Sequence, residues 1–122
     1  MTIRLKRVYQ DASKDDGTRI LVERLWPRGL SKDRAKVDLW LKDVAPSTEL
    51  RKWFGHDPSR WQEFRRRYHQ ELRRRPEVLQ PLLDTLAHGP VTFIYGSREE
   101  RYNAAVALRD YVAGQEGTHP TS

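Results

Sequence analysis

In the stretch Glu23-Arg24-Leu25-Trp26-Pro27-Arg28-Gly29-Leu30-Ser31, a carboxylate and two arginines stand where the apolar run Ile20-Leu21-Val22 ends. Pro, Gly and a serine able to cap a helix follow at once. Such residues at a strand-to-helix turn point to capture of an anion, because the N–H groups and dipole of a helix start favour negative charge. Arg28 can clamp a phosphate or carboxylate through two parallel hydrogen bonds, with Arg24 beside it. Glu23 is a candidate general base. The competing reading is an Arg–Glu ion pair that only buttresses the turn.

Three further groups carry possible chemistry. Lys42 and Asp43 close a second apolar segment just before the Pro46-Ser47 helix start. Asp43 is a candidate base and Lys42 a candidate anion ligand, and as strand neighbours they are expected on opposite faces. Ser47 reads as an N-cap; no G-x-S-x-G elbow makes it a nucleophile. His56 beside Asp57 has the types of a base oriented by a carboxylate, although Asp57 also fits as the cap before Pro58. After the strongest strand come Ser97, Arg98, Glu99 and Asn103, where Arg98 can hold ligand charge. Asn103 can orient a ligand or tie down its own loop. Neither a phosphate loop nor a G-x-G-x-x-G turn occurs. The histidines share no metal-ligand spacing, so no metal and no cofactor is expected.

These turns need strands and helices to position them. Ile3 to Tyr9 reads as an edge strand, and Arg19 to Trp26 as a strand buried on both faces. Leu39 to Val44 and Val91 to Tyr95 are the third and fourth strands. Ser31 caps a short helix over Lys32 to Val37, and Ser47 caps one closed by Gly55. A helix over 58–75 carries the apolar stripe Trp61, Phe64, Tyr68 and Leu72, with most of its arginines opposite. A further stripe from Val78 to Leu86 is kinked or restarted at Pro81. Glu99 to Ala113 is the last helix, packing through Ala105, Leu108 and Val112. Strands alternating with helices imply α/β class: a single domain over 1–114, with a small, mostly parallel four-stranded sheet flanked by helices. Residues 115–122 read as a flexible C-terminal tail.

The composition excludes several classes. With 122 residues there is one domain, and four Trp, five Tyr and three Phe supply apolar mass that disordered chains lack. The absence of cysteine removes disulfides and thiolate chemistry. No apolar run is long enough to span a membrane, and the N-terminus lacks a signal peptide's apolar core, so a cytoplasmic protein is expected. The net charge of +6 is concentrated between positions 60 and 75, where seven arginines face two glutamates. Arg65, Arg66, Arg73 and Arg74 there are a candidate nucleic-acid face. Against it, Glu63–Arg67 and Glu71–Arg75 have the spacing of pairs within a solvated helix. By pattern Trp53 and Trp61 are buried, while Trp26 and Trp40 are left open.

The segments Lys6-Arg7-Val8-Tyr9, Asp16-Gly17, Glu23 to Gly29, Trp40 to Ser47, Leu50 to Asp57 and Asn103 to Val106 together resemble the YeaO-like bacterial proteins, the domain of unknown function 488 family. The resemblance runs from about Ile3 to Tyr111, in the family's order and spacing. It brings no established activity. The family usually has Asp at the position of Glu23 and His at that of Tyr102; chemistry needing that histidine would be lost to this chain.

The expectation is therefore a binder or small enzyme for an anionic small molecule, phosphorylated or nucleotide-like, held at the carboxyl ends of the strands. The alternative is a nucleic-acid-binding module built on the arginine-rich helix. The oligomeric state is left open.

Overall fold

Parallel strands bury both faces, and here the two faces are covered very unequally. In a computed structural model, which describes residues 3–118, strands β1 (Ile3–Arg7), β2 (Thr18–Leu21), β3 (Leu39–Trp40) and β4 (Val91–Tyr95) form one parallel sheet in the order β1-β4-β2-β3. The helices are α1 (Lys32–Ala35), α2 (Thr48–Phe54), α3 (Trp61–Arg74), α4 (Gln80–Leu86) and α5 (Ala104–Thr118). The α/β architecture read from the sequence is the one observed. Residues 119–122 of the expected tail lie outside the described residues.

Alternation sorts the side chains. Ile20, Val22, Val91, Phe93 and Tyr95 point to the face covered by α2 to α5, where the stripe Trp61, Phe64, Tyr68 and Leu72 joins one large core. Phe54 and Phe64 stack there with ring centroids 4.3 Å apart. Leu21 and Ile94 point the other way, to a small cluster with Val8 and Ala35, flanked by Trp26 and Trp40.

Several expected boundaries shift, each for a local reason. β2 stops at Leu21 rather than Trp26: Val22 still donates to the Ile94 carbonyl, but the Trp40 indole N–H takes the carbonyl of Glu23 at 2.7 Å. β3 is two residues long, and Lys42 and Asp43 belong to a 3-10 turn (Lys42–Val44), so the opposite-face argument for them does not apply. Pro81 lies in the first turn of α4, after a 3-10 turn over Pro76–Leu79, so it restarts the helix. The last helix begins at Ala104, because residues 99–103 form a turn held by side chains. Trp53 is half-buried, with the guanidinium groups of Arg67 and Arg60 4.5 Å and 5.3 Å from its ring centroid. Trp26 and Trp40 are also half-buried and meet edge to face at 5.3 Å.

The thin face contains a buried charge network. Asp16, 2% exposed, accepts from Lys6 of β1 at 2.9 Å and from Arg19 of β2 at 2.7 Å. Arg19 reaches on to the carbonyls of Ala35 and Lys36 at the end of α1, and Thr92 of β4 donates to the Asp16 carbonyl at 2.7 Å. Burial alone would raise the Asp16 carboxyl. The hydrogen bonds from Lys6, the Ser13 backbone, Arg19 and the Ser13 hydroxyl outweigh it and hold the group well below the usual carboxylate range.

Removing one partner of such a pair leaves a buried, uncompensated charge, so Asp16→Asn is expected to cost about 3–5 kcal/mol in urea unfolding. Because the folded-state carboxyl is depressed, its contribution is fully present above the ordinary value of 3.8 and is lost as pH falls below it. Wild type is therefore expected to lose stability on acidification from about pH 4 downward, and Asp16→Asn to lose less. Equal acid sensitivity of the two proteins would exclude this role.

Candidate functional site

The connections leaving β2 and β4 part company. β2 leads to α1, whose Ala35 packs on Leu21 and Ile94; β4 leads to α5, whose Ala105 and Leu108 sit on the opposite face. These adjacent strands thus send their chains to opposite sides, which opens a crevice at their carboxyl ends. A cleft of about 440 Å³ lies there. Phe54, Phe64, Ala104 and Ala105 make its apolar walls, with Leu25 and Pro46, while Glu23, Arg51, Lys52, His56, Ser97 and Asn103 supply its polar groups.

Glu23 is fixed at both ends. Trp40 holds its carbonyl, and its carboxylate Oε1 accepts from the backbone N–H of Gly96 at 2.5 Å. A Cβ on residue 96 would stand 3.2 Å from that oxygen, so glycine lets the carboxylate come this close. Burial pushes the Glu23 carboxyl above its ordinary value; the Gly96 N–H and the positive charges of Arg51 and His56 oppose the rise.

The cations on the rim come from one short segment. Arg51 and Lys52 lie in the last turn of α2, and Gly55 and His56 follow with φ of 54° and 58°. Left-handed backbone is natural for glycine and uncommon for histidine, so His56 holds a sparsely populated conformation at the mouth of the cleft. Sequence reading picked out His56 but not Arg51 and Lys52. The available signal is two adjacent basic residues one turn before that histidine.

On the opposite wall, Asn103 is 4% exposed, and both ends of its amide are engaged. Its Nδ2 donates to the Glu99 carbonyl at 2.7 Å, and its Oδ1 accepts from the Val106 N–H at 2.9 Å. Asn103 thus closes its loop and caps α5 rather than standing a turn inside the helix. The Ser97 hydroxyl accepts from the Glu99 N–H at 3.0 Å. Tyr102 packs against Trp61, ring centroids 5.5 Å apart, and does not line the cleft.

The other sequence-derived candidates lie elsewhere. Arg24, next to Glu23 in the chain, faces away from the cleft into a pocket of about 280 Å³ shared with Asp43, Glu71, Arg74 and Arg75. Arg28 is exposed on the turn after β2, its carbonyl accepting from the Tyr9 hydroxyl at 3.1 Å. Lys42 lies 4.1 Å over the Trp40 ring, and Arg98 is exposed on the turn after β4. Of the residues expected to converge, Glu23, His56 and Asn103 line one cleft and Arg24 and Asp43 another. Arg28, Lys42 and Arg98 do not line the cleft.

On the arginine-rich helix, Arg66 and Arg67 both pair with Glu63, at 2.5 Å and 2.6 Å, and Arg65 pairs with Asp110 at 3.2 Å. Glu71 does not pair with Arg75, as its spacing suggested. Arg75 lies past the end of α3, and both carboxylate oxygens of Glu71 are taken by the N–H and hydroxyl of Ser47, at 2.8 Å and 2.6 Å. No helix among the described residues is long and apolar enough to cross a membrane.

Comparison with known proteins agrees with the resemblance seen in the motifs. A family model described as the inactive DUF488-N3 subclade matches residues 2–119. The uncharacterised protein YeaO of Escherichia coli is 40% identical over 112 residues, covering 92% of this chain and 97% of that protein. Uncharacterised proteins of Mycobacterium tuberculosis and Mycobacterium bovis are each 54% identical over 70 residues, covering 57% of this chain. The match spans 59% of the length of those mycobacterial relatives. No solved structure matches significantly.

Burial of Glu23 sets a pH signature. A carboxyl raised on folding favours the folded state below its ordinary value of 4.5 and loses that contribution as pH rises through the raised value. Glu23→Gln is therefore expected to gain on wild type in melting temperature between pH 4 and pH 7. A difference between the two proteins that is flat across that range would count against a raised Glu23 carboxyl.

Proposed function

The chain belongs to the inactive DUF488-N3 subclade, and from that premise we propose that it binds a small anionic molecule without turning it over. The ligand class is phosphorylated or nucleotide-like, and the site is the cleft at the carboxyl ends of β2 and β4. The observation that carries this reading is two cationic side chains, Arg51 and Lys52, with His56 beside them, on the rim of a cleft whose walls are largely apolar. Apolar walls take the body of a ligand, and a few placed polar groups orient it.

In this reading Arg51 and Lys52 hold the anion. His56 adds charge when protonated, and Glu23, fixed on Gly96, accepts from a ligand hydroxyl or amine through its second oxygen. Two facts favour binding over catalysis. The subclade is described as inactive, and Tyr102, where the family resemblance leads one to expect histidine, is packed on Trp61. Of the four arginines in the nucleic-acid reading, Arg65 and Arg66 already have carboxylate partners, while Arg73 and Arg74 make no salt bridge among the described residues.

The test is a thermal-shift series with phenyl phosphate, adenosine monophosphate and short oligonucleotides, at low and moderate salt. Ligand at about ten times its Kd stabilises a protein by about 1.4 kcal/mol, roughly 5 °C for a domain of this size. A shift of that order with one of the two phosphates is expected for wild type and for Arg28→Ala, and its loss in Arg51→Gln. Stabilisation by oligonucleotides alone, vanishing with salt, would transfer the function to the arginine face.

A further inference from the structure

The Arg24 guanidinium is held in an unfinished environment. Among the described residues its Nε is the one buried side-chain nitrogen or oxygen without a hydrogen-bond partner. The group's hydrogen bond to the protein is a long one, from Nη2 to the Ala45 carbonyl at 3.4 Å. Buried donors are nearly always satisfied, and an orphan on a guanidinium is costly enough to need an explanation.

The neighbouring acceptors are already in use. The Tyr68 hydroxyl donates to the Val44 carbonyl, and Glu71 accepts twice from Ser47, at 2.8 Å and 2.6 Å. Asp43 lines the pocket but is exposed and makes no ion pair with Arg24 among the described residues. From the end of α3, Arg74 and Arg75 line the same pocket. Arg74 has no salt bridge among the described residues, and the carboxylate paired with Arg75, Glu77, stands 3.9 Å away.

We propose that this pocket is a second oxyanion site, separate from the cleft, in which Arg24, Arg74 and Arg75 hold a phosphate group. Its volume of about 280 Å³ suits a phosphate with a few attached atoms. Three guanidinium groups against Asp43 and Glu71 leave the pocket with a net positive charge, and guanidinium forks are the donors best suited to phosphate oxygens. The two sites lie on either side of the Ala45-Pro46-Ser47 segment: Pro46 lines the cleft, and Ala45 and Ser47 line the pocket. Neighbouring residues, Glu23 and Arg24, thereby serve different cavities. The inference stands whether or not the cleft binds a ligand.

The experiment is a titration of the nitrogen-15-labelled full chain with inorganic phosphate, against acetate and chloride at matched ionic strength, followed by NMR of backbone amides and arginine Nε–H groups. Saturable shifts with phosphate are expected at the Arg24 Nε–H and at amides in 43–47 and 71–75. Arg74→Gln, an exposed change that leaves the fold alone, is expected to weaken phosphate binding about tenfold, and Arg24→Lys to weaken it while keeping the charge. Arg51→Gln is expected to leave these shifts in place, which separates this site from the cleft. Shifts that merely track ionic strength, or a phosphate affinity unchanged in folded Arg74→Gln, would overturn the proposal. Acetate binding as tightly as phosphate would overturn the assignment to phosphate.

Discussion

Asp16 is the interaction on which the rest of the arrangement depends. Its carboxylate lies between Lys6 of β1 and Arg19 of β2, and its carbonyl takes the hydroxyl of Thr92 on the strand between them. One residue thus connects all three adjacent strands, and Arg19 extends the tie to the end of α1. The other face of the sheet has a large apolar core to hold it. The thin face has few apolar side chains, and a fully partnered charge cluster fills the space that a longer helix would otherwise cover. Such a cluster specifies its partners closely, because any mispairing strands a charge in a low-dielectric interior.

The position of β2 against β4 has its main consequence at the other end of the strands. With these two as neighbours, Glu23 comes within a hydrogen bond of Gly96, although 73 residues separate them in the chain. Trp40 from the edge strand then fixes the Glu23 backbone. Leaving the strand at Val22 lets Glu23 and Arg24 diverge into different cavities. What the sequence presents as one charged cluster lines, in space, two cavities of different character. One is apolar with a cationic rim and a buried carboxyl; the other is small and rich in guanidinium groups.

The arginine-rich helix reads differently once its partners are known. Its apolar stripe is the main support of the large core, through Trp61, Phe64, Tyr68 and Leu72. Its charged face is divided: Arg65, Arg66 and Arg67 are paired with Asp110 and Glu63, and Arg74 at its end, with Arg75 just beyond it, borders the Arg24 pocket. Glu71 leaves the arginines to cap α2 through Ser47. A half-buried carboxylate gains more from two short hydrogen bonds to a helix start than from one exposed ion pair.

The α/β class, the helical stripe of α3 and the edge position of β1 were legible in the amino-acid sequence alone. These follow from local rules: apolar spacing, capping residues and the requirement that parallel strands be covered. Which charged residues meet was not legible there. That β4 lies between β1 and β2, that Arg51 and Lys52 face Glu23, and that Arg24 turns toward Arg74 are outcomes of pairing between distant segments. Local spacing carries no record of such pairing, because the same strand ends are compatible with several sheet orders. Asn103 shows the limit from the other side: its residue type suggested a ligand contact or a loop tie, and the two hydrogen bonds that tie its loop become visible only when the loop closes.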